Sequence, residues 1–300
     1  MSILKNFIKY QSLGNDFVVF DWYKKPSVFM QQELLDSTWK QFIVRICDRH
    51  YGVGADGVLI ITGNAAMGMP EMLIFNADGS QAETCLNGAR CVAHYLFTNY
   101  HFPEHFFIKL GARQAECFVS QAAYGSENCQ ITMNIGSIDY RGQQTLVCDD
   151  KNFNGHCVSV GNPHFIIFEQ TTLPWLACNG KAIESHEQFP NKTNVEFVWE
   201  SAQSSATERI FDVLVYERGC GITLACGSGA TAVTGLLANQ GLINTSQRIA
   251  LKMPGGVVTA WVDADGSVFL QAAAQLIFSG IFEDHIEEYR QLRPQLAGRI

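Results

Sequence analysis

The chain uses one unusual phrase twice. From Cys85 it reads CLNGARCVAHYLF, and from Cys226 it reads CGSGATAVTGLLANQG. Each time a thiol stands before a glycine-bearing polar turn, and an apolar run at helical spacing follows. A recurring signature of this kind marks one supersecondary unit used more than once. The flanking residues keep the same rhythm. In the first half, apolar alternation around Gly14-Asn15 predicts strands, residues 31–49 predict a helix, and GVGADGVLIIT breaks into a β-branched strand. A short strand, MLIFNADGS, then leads to the first cysteine-headed helix. In the second half CVSVGNPHFIIF predicts strand–turn–strand, and ACNGKAIESHEQFP a helix and its exit. VEFVWE and IFDVLVYERG predict strands, the second cysteine-headed helix follows, and MPGGVVTAWVDADGSVFLQ closes as a hairpin. The expected architecture is α+β, two similar halves facing each other.

The bulk numbers agree with a globular enzyme-sized chain. Three hundred residues suffice for about two domains. A net charge of −8 argues against a nucleic-acid surface. No apolar run approaches the ~20 residues that span a bilayer, and the N-terminus has no export signal, so a cytoplasmic protein without a membrane partner is expected. The ten cysteines (47, 85, 91, 117, 129, 148, 157, 178, 220, 226) contain no Cys-x2-Cys pair. They are expected as reduced, mostly buried thiols, and no metal site is expected.

Cys85 and Cys226 stand apart because of their place. The first turn of a helix carries unpaired N–H groups and partial positive charge, which lowers a thiol's pKa and holds a carboxylate. One such site could be a peroxidase cysteine, a hydrolase nucleophile or a plain cap. Two, converging from facing halves, would put a thiol on each side of an α-carbon whose carboxylate rests on the helix N–H groups. One thiolate could then remove the α-proton and the other thiol return it on the opposite face.

The ordered set SLGNDFVVFD, RHYGVGADGVLI, FNADGSQAETCLNGARCVA, VGNPHF, NVEFV, YERGCGITLACGSGA and MPGG resembles the diaminopimelate epimerase family, nearly to residue 282. The resemblance implies two pseudo-symmetric domains, each a curved, mostly antiparallel sheet around a central helix, with the active site in the cleft between them. The halves are drawn as 1–124 plus 278–300, carrying Cys85, and 125–277, carrying Cys226. It implies a cofactor-independent isomerase of lysine biosynthesis, interconverting LL- and meso-2,6-diaminopimelate with a catalytic cysteine pair and no pyridoxal phosphate. The small-molecule amino acid is the expected partner, and a homodimer stays open. Carried over by position, Cys85 and Cys226 are the acid–base thiols. Asn76, Asn162, Asn194 and Arg218 hold the distal end of the substrate, and Asn15 contacts it near the cleft. Backbone N–H groups of Leu86, Asn87, Gly227 and Ser228 hold the reacting carboxylate. Glu217 binds the reacting amino group and assists its neighbouring thiol; His164 supports the other thiol.

Three positions depart from the family pattern. Leu86 stands where glycine is usual, which would strain the chain if that position required a positive φ. Ile222 replaces a glutamate, and Gly57 sits where some members carry a glutamine. The competing readings are a related cofactor-independent racemase for a different substrate, and a non-catalytic thiol protein serving redox sensing or binding. The tail after Asp284 is expected to form a surface helix.

Overall fold

The structure is a computed structural model; it describes residues 3–23, 37–63, 69–82, 84–120, 129–148, 151–205 and 207–284. The chain divides into two compact units, residues 1–129 with 274–300 and residues 130–273.

The first unit opens with β1 (Ile3–Ser12) and β2 (Asn15–Asp21), an antiparallel pair in which Ser12 faces Asn15. Helix α1 (Ser37–Cys47) leads into β3 (Gly57–Gly63), β4 (Pro70–Asn76) and the short β5 (Gln81–Ala82). β3 lies parallel to β2, with Phe17 opposite Gly57, and antiparallel to β4, with Gly57 opposite Asn76. Such a central parallel strand is covered on both faces and is written as a continuous apolar run, VLII. Helix α2 (Leu86–Tyr100) follows, then β6 (His105–Leu110) and β7 (Arg113–Ser120), with β6 parallel to β4.

The second unit repeats this order. After β8 (Cys129–Asn134) and β9 (Asp139–Cys148) come β10 (Lys151–Ser159), β11 (Pro163–Ile167), α3 (Leu173–Glu184), β12 (Asn194–Glu200), β13 (Arg209–Glu217), β14 (Gly221–Ile222), α4 (Gly227–Asn239), β15 (Ile249–Met253) and β16 (Gly256–Val262). β11 is parallel to β12, β12 antiparallel to β13, and β13 parallel to β15, matching β2, β3, β4 and β6 strand for strand. The last strand, β17 (Val268–Asp284), pairs with β16 through Val268–Gln271 and with β1 through its later residues. The expected α+β duplication is therefore present down to the direction of each pairing.

In each unit the strands pack on a central helix. α2 touches β1, β2, β3, β4 and β7, and α4 touches β10, β11, β12 and β16. A helix enclosed on all sides must be apolar all round or small enough to admit close neighbours. α2 mostly follows the first course, with Leu86, Ala89, Val92, Ala93, Leu96 and Phe97 buried, but it also encloses Asn87, Arg90 and His94. α4 follows the second: a Cβ on Gly235 would come within 2.5 Å of Ile138. The outer helices are amphipathic. α1 buries Trp39, Phe42, Ile43 and Ile46 against Phe20, Trp22 and Phe75, and α3 buries Leu176 and Ile183 against Phe165, Val195 and Phe197. Burying each such side chain contributes about 1.5–3 kcal/mol.

Boundaries moved where capping chemistry overrides periodicity. The helix expected from 177 starts at Leu173, because Thr172 caps it by accepting the Trp175 N–H at 3.4 Å and Pro174 is harmless in a first turn. The helix expected over 31–49 spans Ser37–Cys47; Asp48 Oδ1 then takes the N–H groups of His50 and Tyr51 and turns the chain. Residues 31–36 and the tail beyond Asp284 lie outside the described residues. The segment expected as one hairpin, 253–271, joins three strands, β15 to β17.

Candidate active site

In the first unit, Cys85 is the N-cap of α2. Its backbone is extended (φ −152°, ψ 109°), and its Sγ accepts the Gly88 N–H at 3.3 Å. Leu86, the next residue, is buried and is not among the positive-φ residues, so the strain anticipated for a non-glycine here does not arise. Asn87 is buried and donates from Nδ2 to Asn15 Oδ1 at 2.5 Å. Its own Oδ1 accepts from Arg90 Nη1 at 2.6 Å, and the same nitrogen reaches Ser12 Oγ at 3.2 Å. Arg90 is completely buried, and its Nε and Nη2 find no hydrogen-bond partner among the described residues. Burial draws this guanidinium down to about 10, while the Cys91 and Cys85 sulfurs oppose the shift.

The strand register sets the remaining positions of this unit. Asn76 ends β4 opposite Gly57, which begins β3, and Asn15 begins the adjoining β2. Asn15 Nδ2 also donates to Asp56 Oδ2 at 3.4 Å, and Asn76 Nδ2 to Ser80 Oγ at 3.0 Å. A charge cluster pins these strand ends together: Asp16 pairs with Lys9 and Arg49 at 2.6 Å each, and Arg49 also reaches Asp56 at 2.8 Å. A side chain at Gly57 has no room, since its Cβ would lie 2.5 Å from the Phe75 carbonyl oxygen.

In the second unit Cys226 caps α4 with the same geometry (φ −113°, ψ 115°), its Sγ accepting the Gly229 N–H at 3.4 Å. The register again gathers the polar set: His164 on β11 lies opposite Asn194 on β12, and Val195 opposite Tyr216, so Asn194 faces the Glu217 end of β13. Each end of the Asn194 amide gives one of its two hydrogen-bonding positions to the backbone. Its Nδ2 donates to the Pro163 carbonyl at 2.9 Å, and its Oδ1 accepts the Arg218 N–H at 3.0 Å. Glu184, buried at the end of α3, accepts the Gly219 N–H at 2.8 Å. Asn194 and Glu184 thus clamp the turn that carries Arg218. Ile222 pairs with Tyr216 in the short β14 and packs against the apolar cluster of this unit.

The electrostatics around Cys226 reverse one expectation. A thiol at a helix mouth was expected to be acidified. Cys226 is only 6% exposed, and burial, followed by the charges of Glu217 and Glu196, pushes its pKa well above the ordinary thiol range. Glu217 is itself raised by burial, against hydrogen bonds from Thr223 and Cys226. The expectation of mostly buried cysteines also needs correcting. Apart from Cys85 and Cys226, Cys47, Cys91, Cys117 and Cys129 are buried, but Cys148 and Cys157 are half-buried and Cys178 and Cys220 exposed.

Two residues escaped the sequence reading. Glu196 bonds His164 Nδ1 through Oε1 at 2.7 Å, both side chains fully enclosed. Its signal was a charged residue within the otherwise apolar run of NVEFVW. Arg90 was the corresponding charge inside α2. Of the proposed site residues, Cys85, Leu86, Asn87 and Asn15 come together in the first unit, with Asn76 on the neighbouring strand end. Cys226, Gly227, Ser228, Asn162, His164 and Glu217 come together in the second, with Asn194 and Arg218 on the adjoining turn; His164, expected to support the thiol other than Cys226, instead reaches Cys226 through Asn162 and Ser228.

Comparison with known proteins supplies the context. The family model for diaminopimelate epimerase matches residues 7–117 and 156–277. A diaminopimelate epimerase of Elusimicrobium minutum is 36% identical over 293 residues, covering 93% of this chain and 99% of that protein. One from Microcystis aeruginosa is 34% identical over 302 residues, covering 92% and 98%. Among solved structures, a PhzF-family phenazine biosynthesis protein of Bacillus anthracis superposes with a TM-score of 0.67 at 12% identity, covering 95% of this chain and all of that one. A hydroxyproline epimerase of Agrobacterium vitis reaches 0.65 at 10% identity, covering 93% and 92%. At such identities these two speak for the fold alone.

Proposed function

Because the chain belongs to the diaminopimelate epimerase family, we propose that it interconverts LL- and meso-2,6-diaminopimelate in the cytoplasm, as a step of lysine biosynthesis. The observation that carries the reading is the duplicated cap: a cysteine at the mouth of each central helix, its sulfur accepting the N–H three residues on. An α-proton next to a carboxylate is weakly acidic, so its removal needs a base at the carbon and donors at the carboxylate. One thiolate takes the proton, and the electron pair left on carbon spreads into the carboxylate, which rests on the N–H groups of Leu86, Asn87, Gly227 and Ser228. The other thiol gives its proton to the opposite face. The configuration inverts, and the two sulfurs have exchanged protonation states.

The remaining residues divide the zwitterionic ends of the substrate. Asn76, Asn162, Asn194 and Arg218 bind the distal amino-acid end, with Asn15 beside them. Glu217 accepts from the reacting ammonium and supports Cys226. This proton transfer draws only on groups of the chain. No helix of the described residues is long and apolar enough to cross a membrane.

The test is incubation of LL-diaminopimelate with the protein in deuterium oxide without added cofactor. Deuterium at the α-carbon of the meso product supports the proposal. Absence of both exchange and isomerisation in folded protein would overturn it.

A further inference from the structure

Beneath the mouth of α4, the residues around Cys226 form a closed ring of contacts. Cys226 Sγ lies 3.4 Å from Ser228 Oγ, and Ser228 Oγ accepts from Asn162 Nδ2 at 3.3 Å. Asn162 Oδ1 faces His164 Nε2 at 3.2 Å, and His164 Nδ1 donates to Glu196 Oε1 at 2.7 Å. The ring closes through α4: a Cβ on Gly229 would stand 2.8 Å from Glu196 Oε1, and the Gly229 N–H binds the Cys226 sulfur. The ionisable groups facing this ring are His164 from β11, Glu196 from β12, Glu217 from β13 and Cys226 itself.

Within this ring Glu196 is expensive. A fully enclosed carboxylate costs several kcal/mol to desolvate unless a partner and hydrogen bonds compensate it. Its Oε1 is bonded to His164, while its Oε2 is buried without any hydrogen-bond partner among the described residues. An apolar residue would suit the buried strand VEFV better on packing grounds alone. What the carboxylate supplies is direction. A carboxylate at Nδ1 holds a proton there and stops the imidazole from rotating; because Asn162 Oδ1 can only accept, Nε2 must also carry a proton and donate to it. Asn162 is then held with its amide on Ser228, and Ser228 with its hydroxyl on the thiol.

We propose that Glu196 is a positioning residue for the epimerase reaction, acting on Cys226 through His164, Asn162 and Ser228. The inference rests on the reading of Cys226 as an acid–base thiol. It adds a residue that touches neither the substrate nor the sulfur. A misaligned thiol loses rate in the proton transfer and disturbs ground-state binding much less, because Asn76, Asn194 and Arg218 still hold the distal end and only Asn162 is shared with the chain of contacts.

The experiment combines kinetics with nitrogen-15 spectra of histidine-labelled full-length protein, the His164 signal being identified by its loss in His164→Gln. In the wild type, His164 Nδ1 should show the protonated signature; in Glu196→Gln that signature should change. The same variant should lose about tenfold or more in kcat with KM within about twofold, and Glu196→Asp should recover part of the loss. Ser228→Ala, which keeps the backbone N–H, should also lower kcat. Glu196→Gln combined with Ser228→Ala should be no slower than the worse single variant, since one chain of contacts broken twice is broken once. Wild-type kcat in Glu196→Gln, multiplying losses in the double variant, or an unchanged Nδ1 signature would each overturn the proposal. Should Glu196→Gln fail to fold, Glu196→Asp and its combination with Ser228→Ala carry the same comparison. A wild-type protein without epimerase activity would sink the functional reading, while the nitrogen-15 result would still report whether Glu196 fixes the ring.

Discussion

Asp16→Asn tests how the first unit holds its strand ends. The Asp16 carboxylate takes Lys9 Nζ at 2.6 Å and both terminal nitrogens of Arg49, at 2.6 and 3.1 Å. Its backbone N–H donates to Asp56 Oδ2 at 3.1 Å. Burial by itself would raise the carboxyl; hydrogen bonds from Arg49 and Lys9, with their charges, outweigh it and bring the pKa from 3.8 down to about 2. The folded value lies below the unfolded one, so the stabilisation is present above about pH 4 and is lost as pH falls toward 2. The full difference corresponds to roughly 2.5 kcal/mol. The side chain is 19% exposed and Arg49 is 56% exposed, so solvent and salt screening reduce this to about 1–2 kcal/mol. Urea unfolding of wild type and variant between pH 7 and pH 3 measures it. The variant should be less stable at pH 7, and the gap should narrow as the pH approaches 3. Because Asn15 precedes Asp16, KM for diaminopimelate should rise as well. A gap that is absent at pH 7, or the same size at pH 3, would refute the reasoning.

Further expectations follow from the site. Cys85→Ala and Cys226→Ala should each abolish conversion of LL- to meso-diaminopimelate, and a near-wild-type rate in either variant would discard the two-thiol mechanism. Arg218→Met should weaken substrate affinity by about tenfold to hundredfold, the loss of a charge-assisted hydrogen bond; unchanged affinity by calorimetry would take the arginine out of the site. Gly57→Ala should lower stability by about 1–3 kcal/mol, because its Cβ would meet the Phe75 carbonyl oxygen at 2.5 Å. An unaltered urea midpoint would show that β3 and β4 can part at no cost.

Much of the fold was legible because it is written in local signals. The repeated Cys-x-x-Gly heading an apolar run marked both central helices, and the sulfur of each does cap the glycine N–H three residues on. The start of α3 was missed because its cap, Thr172, and its Pro174 lie before the apolar periodicity begins. The charges of the site were less legible, because they depend on register. Nothing local says that His164 falls opposite Asn194 while Glu196 reaches it from two residues further along β12. Burial, too, is a tertiary quantity: the sequence presents Cys226 as a helix-mouth thiol, and only the packed carboxylates reveal why its pKa rises.

The duplication therefore preserves one thing and varies another. The backbone around Cys85 and Cys226 is the same device, an extended cap residue whose sulfur receives a helix N–H, set beside the ends of one parallel and one antiparallel strand pair. The buried charges beneath the two mouths are opposite in sign. α2 carries Arg90, an enclosed cation that interacts with the Cys85 sulfur, whereas α4 stands over Glu196 and beside Glu217. A nearby cation favours a thiolate, and nearby carboxylates favour a thiol. Two identical mouths would hold the proton equally well, and neither sulfur would be poised as acid or as base. On the proposed mechanism, unequal ones would favour the proton at Cys226, whose pKa burial and the two carboxylates raise. Duplicating the backbone sets a thiol at the mouth of each central helix, and the residues buried behind the two mouths differ in charge.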